Sequence, residues 1–181
     1  MGIYIALLRG VNVSGQKKVQ MKELAELFAS LGFEKIITYI QSGNVVFNSK
    51  LKSGTAIAGM AEKGIKEKFG FNVPVHIIEK KELKGAISRN PFLNVKGVDQ
   101  SKLHVTFLSE APQKENLNKI TSIDGGKDKI VIAGSYAFLY CPNGYGRTKY
   151  TNTVLERVLK VKATTRNWKT VNALFGLTET D

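Results

Sequence analysis

Four short polar segments of this chain carry residue types that bind anions. They are "RGVN" (9–12), "QSGN" (41–44), "GYGRTK" (144–149) and "TTRNW" (164–168). Only five of the 27 basic residues are arginine, and three of those five lie in these segments. Arginine presents a planar fork of donors that matches phosphate and carboxylate. The candidate ligand-binding residues are Arg9, Asn12, Gln41, Ser42, Asn44, Arg147, Lys149, Arg166, Asn167 and Trp168.

Each segment also has a structural interpretation. Ser42-Gly43 suits a two-residue hairpin turn, and Asn12 could simply tie down its loop. Arg147 could pair with a nearby acid such as Glu156. The spacing of Trp168, Val171 and Phe175 is helical, which favours a core position for the tryptophan over a stacking platform.

No catalytic residue can be named from the sequence. The four segments contain no Asp or Glu, so paired-carboxylate chemistry is poorly supported. His76 and His104 each stand alone in predicted strands, which favours packing over metal ligation or general-base work. A single cysteine, Cys141, excludes an internal disulfide and a multi-thiolate metal site. We therefore expect no metal and no cofactor.

Hydrophobic periodicity predicts the elements that position these segments. Buried strands are expected at 3–9 and 73–79, with a hairpin at 35–49 and amphipathic helices at 21–31 and 57–69. The second half repeats this order: strand 102–109, helix 111–121, hairpin 129–141, helix 150–161, a brief strand 163–165 and an added helix 166–175. The predicted class is α+β, with two ferredoxin-like (split βαβ, α/β-plait) units in tandem, at 1–80 and 81–181. A short helix around residues 80–88 should precede the second unit, and an added helix should follow it at the C-terminus.

The right-handedness of crossover connections predicts how the strands of each unit are arranged. Each sheet should be antiparallel with strand order 4-1-3-2. The first two strands of a unit then end at one edge, which joins "RGVN" to "QSGN". The last two strands end at the opposite edge, which joins "GYGRTK" to "TTRNW". We expect the two clusters to face a shared groove.

Longer stretches of the sequence resemble a bacterial family known as domain of unknown function 1697 (DUF1697). They include "ALLRGVNVSGQKKVQMKEL", "TYIQSGNVVF", "NPF", "NGYGRTKYTNTVLERVL" and "ATTRNWKTV". Ser14 and Thr148 depart from the family pattern, which more often has Gly and Ser there. The resemblance implies the two-unit α/β-plait fold, and it implies no activity.

The amino-acid composition indicates which classes of partner the protein favours. A net charge of +12 makes this a basic protein that favours anionic partners, either a small molecule or nucleic acid. No apolar run of transmembrane length and no signal peptide are seen, so we expect a cytoplasmic protein without membrane contact. The first hypothesis is a protein that binds a phosphate-bearing ligand, such as a nucleotide or RNA, in a cleft. The alternatives are an enzyme acting on a phosphorylated or carboxylated small molecule, and a purely structural role for the motifs. The sequence does not indicate an oligomeric state.

Overall fold

The computed structural model describes residues 1–180 and shows a mixed α+β protein with two four-stranded antiparallel sheets and six helices within that range. Contacts between Cα atoms divide the chain into two units. The first comprises Met1–Lys84 and the end of the chain from Ala173, and the second comprises Gly85–Asn172. No helix among the described residues has the length and apolar content to cross a membrane.

The first unit contains a sheet of strands β1 (Gly2–Leu8), β2 (Glu34–Tyr39), β3 (Asn44–Ser49) and β4 (Val75–Glu79) in the order β2-β3-β1-β4. Helices α1 (Met21–Ser30) and α2 (Gly54–Phe69) share a core with one face of this sheet. The predicted order 4-1-3-2 is therefore confirmed for this unit. Helix α3 (Lys80–Ser88) follows β4 directly.

Local sequence explains these helices. In α1, Leu24, Leu27 and Phe28 recur at helical spacing and are buried. In α2, the Ser53 side chain accepts a hydrogen bond from the backbone N–H of Ala56, which caps the first turn. Gly70 ends α2 at φ 81°, a conformation that glycine adopts without strain.

The second unit repeats the arrangement with β5 (Leu103–Leu108), β6 (Lys129–Ala133), β7 (Tyr136–Tyr140) and β8 (Ala163–Asn167), ordered β6-β7-β5-β8. Helices α4 (Lys114–Ile120) and α5 (Asn152–Leu159) pack on one face, and α6 (Trp168–Leu177) follows β8. The order 4-1-3-2 is confirmed here as well. A 3₁₀ turn at Tyr145–Arg147 lies between β7 and α5.

The two units share one hydrogen bond that is not apparent from their sequences. A carboxylate oxygen of Glu62, on α2, accepts from the N–H of Val75 at the start of β4 at 2.9 Å. In the same way Glu156, on α5, accepts from the N–H of Ala163 at the start of β8 at 3.0 Å. Each unit thus uses a glutamate on its second helix to fix the start of its fourth strand.

Two local predictions are wrong. The connection between β2 and β3 spans residues 40–43, because Tyr39 pairs with Asn44, so Ser42-Gly43 is not a two-residue turn. Strand β8 runs to Asn167 because Arg166 and Asn167 continue to pair with β5, at Val105 and His104. These two residues therefore belong to a strand and do not form the first turn of the last helix.

Candidate functional site

The first cluster consists of residues 9–12 and 41–44, and the structure brings these segments together. The Asn12 side-chain amide donates to the backbone oxygen of Gln41 at 2.7 Å. The backbone N–H of Leu8 donates to the oxygen of Gly43 at 2.8 Å. The shared edge follows from β1 and β2 running in the same direction, since both are antiparallel to β3.

Asn12 is used mainly to hold its own loop. Its Nδ2 also donates to the backbone oxygen of Val19 at 2.9 Å, and its Oδ1 accepts from the Val19 N–H at 2.9 Å. Its backbone sits at φ 55°, in the left-handed region that asparagine tolerates better than most residues. The side chain therefore stabilises the approach of the loop to the β2–β3 connection.

Asn44 has a similar structural role. It is fully buried, with 0% relative exposure. Its Nδ2 donates to the Tyr39 backbone oxygen at 3.0 Å and to the Ser42 hydroxyl at 3.0 Å. Ser42 and Asn44 thus hold the 40–43 connection in shape.

The other polar side chains of this cluster are cationic or amidic. Arg9 is half-buried, and Gln41 and Lys18 are exposed. Lys17 is exposed too, but its Nζ donates to the backbone oxygen of Asn72 at 2.8 Å. Gly10 and Gly15 adopt φ values of 73° and 76°, which keeps this loop tightly folded.

The second cluster consists of residues 141–149 and 164–168, and it lies at the opposite edge of its sheet. His104, near the start of β5, pairs with Leu139 on one side and with Asn167 on the other. Its imidazole stacks on the ring of Tyr145, with 4.9 Å between centroids and an interplanar angle of 26°. The 3₁₀ turn of Tyr145 therefore covers the end of β8.

The two arginines of this cluster differ in their surroundings. Arg166 is half-buried, and the loss of solvent lowers its pKa to about 10, while its interaction with Tyr145 acts in the opposite direction. It remains protonated at neutral pH. Arg147 is exposed, and its guanidinium makes no ion pair or hydrogen bond with another residue in the 1–180 range. Lys149 lies 4.0 Å from Asp124, with both side chains well exposed.

The alternation of β8 separates these groups by face. Ala163 belongs to the core under α4 and α5, so Thr165 and Asn167 also point to the helix-covered face. Arg166 points to the other face, opposite Val105. His104 shares the helix-covered face with Asn167, because directly paired residues lie on the same side of a sheet.

Asn167 caps the start of α6. Its side-chain oxygen accepts a hydrogen bond from the backbone N–H of Thr170 at 2.7 Å. Thr165 instead bonds the hydroxyl of Thr106 at 2.6 Å and the Asn152 oxygen at 2.7 Å. Trp168 is 8% exposed, which agrees with a core position.

The proposed pairing of Arg147 with Glu156 is wrong. The Glu156 carboxylate bonds Ala163 at the start of β8, whereas the second cluster gathers at the end of that strand. Among residues 1–180, no group of three or more His, Cys, Asp or Glu side chains could hold a metal ion.

His104 is the residue that sequence reasoning missed. Its Nδ1 lies 3.2 Å from the backbone oxygen of Lys102. Burial lowers its pKa below the ordinary value of 6.5, and the Lys102 carbonyl opposes that shift. The imidazole is therefore mainly neutral at pH 7. His104 reaches this cluster through the register of β5 against β8, which cannot be derived from the sequence.

A pH-dependent stability follows from this shift. Because the folded protein binds the His104 proton more weakly than the unfolded chain, its contribution to stability is present above about pH 6.5 and is lost as pH falls through the folded pKa. We expect His104→Phe, which keeps an aromatic ring against Tyr145, to lose less stability than the parent protein between about pH 7.5 and about pH 5. Urea unfolding at several pH values measures this.

His76→Gln is the control for that experiment, since it removes the other imidazole of the chain. It should keep the acid-dependent loss contributed by His104. Identical pH profiles for His104→Phe and the parent protein would contradict the assignment.

Comparison with known proteins adds the following. The family model described as "Protein of unknown function (DUF1697)" matches residues 1–138. The solved structure of a conserved bacterial protein from Streptococcus pneumoniae aligns with a TM-score of 0.75 and 23% sequence identity, covering 98% of this chain and 99% of that one. At this identity the likeness supports a common fold alone. No curated protein matches the chain.

Proposed function

Because the chain belongs to the DUF1697 family of proteins of unknown function, its membership assigns no activity, and we propose from the geometry that it binds a phosphate-bearing ligand at the second cluster. The observation that carries this proposal is the placement of Arg147, Tyr145 and Arg166 at one edge of one sheet. Arg147 is exposed without an ionic partner in residues 1–180, two positions from the tyrosine that interacts with the desolvated Arg166.

Electrostatics supports an anion at this edge. Arg147 offers up to five donors in a fork that fits two phosphate oxygens. Lys149 adds a mobile charge whose contact with Asp124, at 4.0 Å and well exposed, competes weakly with a ligand.

The first cluster is proposed to contribute two further ligand contacts. Hydrogen bonds within the loops involve the side chains of Asn12, Ser42 and Asn44. The residues that we propose for ligand contact are Arg9 and Gln41. That both clusters serve one cleft stays a prediction. So do ferredoxin-like domains at 1–80 and 81–181 and a cytoplasmic location.

The test is a phosphate titration of Arg147→Gln by calorimetry. Removing a charge-assisted hydrogen bond costs about 1.5–3 kcal/mol, so we expect binding of inorganic phosphate to weaken roughly 10- to 100-fold. The melting temperature should stay near the parent value, because the side chain is exposed.

Arg157→Gln is the matched control. Arg157 is also exposed, lies in the last turn of α5 and belongs to the same unit. It should change the phosphate affinity less than about twofold, as expected for a distant surface charge. Equal effects of the two substitutions would indicate unspecific attraction to a basic protein. An unaltered affinity in Arg147→Gln would refute the site.

The second candidate function is an enzyme acting on a phosphorylated or carboxylated small molecule. The observation that favours it is His104, a neutral imidazole that stacks on Tyr145 of the second cluster and is therefore a candidate general base. Turnover of a phosphate ester that stops in His104→Phe would support the enzyme. Binding without turnover would support the first proposal.

A further inference from the structure

Two polar side chains with opposite hydrogen-bonding character face each other across β5 and β8. His104 and Asn167 are direct partners in the register of these strands. The Cβ atoms of such partners lie about 4.5–5.5 Å apart, with both side chains on one face. Both residues stand at the strand ends, beside the 3₁₀ turn that carries Arg147.

The hydrogen-bond state of His104 is defined by its neighbour. The Lys102 carbonyl, 3.2 Å from Nδ1, can only accept a hydrogen bond, so Nδ1 carries the proton of the neutral ring. Nε2 is then an acceptor, and no residue in the 1–180 range donates to it. Stacking on Tyr145 holds the ring in place.

Asn167 is oriented just as firmly. Its Oδ1 accepts from the backbone N–H of Thr170 at 2.7 Å, which caps α6 and fixes the plane of the amide. The remaining group, Nδ2, is a donor on an exposed residue, and it has no partner within residues 1–180. The strand pair therefore presents one acceptor and one donor side by side.

We propose that His104 Nε2 and Asn167 Nδ2 form a subsite for a hydroxyl group of a phosphorylated sugar, next to the phosphate held by Arg147. A hydroxyl donates one hydrogen bond and accepts others, so a single oxygen satisfies both groups. The fully ionised phosphate group of a monoester carries no proton and cannot donate to Nε2. This inference rests on the proposed function and narrows it to hydroxyl-bearing phosphate esters.

Comparing two monoesters of equal charge tests the subsite. Ribose 5-phosphate carries hydroxyl groups, and methyl phosphate carries none beyond its phosphate. We expect the parent protein to bind ribose 5-phosphate about fivefold tighter or more, since each net hydrogen bond contributes modestly to affinity.

His104→Phe keeps the stacked ring, and Asn167→Ser keeps a capping oxygen. Each removes one of the two hydrogen bonds, so each should at least halve that preference and leave methyl phosphate binding within about twofold.

The outcomes separate this inference from the function on which it rests. If methyl phosphate binds and Arg147→Gln weakens it, but ribose 5-phosphate is no tighter, the hydroxyl subsite is wrong and the phosphate site stands. If methyl phosphate does not bind, or if Arg147→Gln leaves its affinity unchanged, the phosphate site itself is wrong. Equal weakening of both esters by His104→Phe would also overturn the subsite.

A measurement on the parent protein removes any dependence on how the variants fold. In ¹⁵N spectra of the imidazole, ribose 5-phosphate should shift the His104 Nε2 resonance, and methyl phosphate should leave it nearly unchanged. An Nε2 resonance indifferent to ribose 5-phosphate contradicts the proposal.

Discussion

Replacing Gly43 by alanine is expected to destabilise the first unit by about 2–5 kcal/mol, through two penalties that add. Gly43 sits at φ 73°, where any Cβ is strained. A Cβ there would also lie 2.6 Å from Val11 Cγ2 and 2.7 Å from Leu8 Cβ. Leu8 and Val11 are both essentially fully buried, so they cannot shift to make room for the added Cβ. Urea unfolding followed by circular dichroism measures the loss.

Gly10→Ala separates the two penalties. Gly10 has the same φ of 73°, but a Cβ built on it meets no heavy atom within 4 Å. Its cost should be that of the backbone alone, about 1–2 kcal/mol. If both substitutions cost the same, the close approach of the 40–43 connection to β1 is not what requires glycine at position 43.

Asn12→Gly is expected to cost about 2–3 kcal/mol, the sum of the hydrogen bonds that join the 9–19 loop to the 40–43 connection. Glycine tolerates the φ of 55° better than any other residue, so the backbone term is small. The cost arises from the Val19 N–H and the Val19 and Gln41 carbonyls, which lose their partner. The free energy of unfolding is the measurement.

Ser14→Gly serves as the comparison within the same loop. Ser14 is exposed at φ 50°, so glycine there removes strain without removing a structural contact and should be neutral or slightly stabilising. If Asn12→Gly unfolds like Ser14→Gly but abolishes phosphate binding, Asn12 is a ligand contact and its structural assignment is wrong.

Patterns within a few residues predicted much of the fold. The apolar face of the first helix, with Leu24, Leu27 and Phe28, is buried as expected. The strand order follows from the sequence of elements and the handedness of crossovers, and both sheets have it. The grouping of "RGVN" with "QSGN", and of the 141–149 loop with the end of β8, follows from the same topology.

The sequence did not show which side chains stabilise the loops. Asn12 and Asn44 looked like ligand-binding amides, yet their hydrogen bonds go to backbone groups of the loops. Buried or half-buried backbone groups need partners, and which side chain provides them depends on how two loops approach in space. His104 looked like an isolated core residue until β8 was placed beside it.

The sequence by itself determined the order of elements, the strand order, the location of the helix faces and the residue types gathered at each sheet edge. These properties depend on periodicity and handedness, which act locally or through general rules of chain topology. Tertiary structure alone decided that Arg166 and His104 lie on opposite faces of one sheet, and that Asn167 caps α6 while facing His104. Strand register and the exact end of β8 set these relations, because a shift of one residue moves every side chain to the other face.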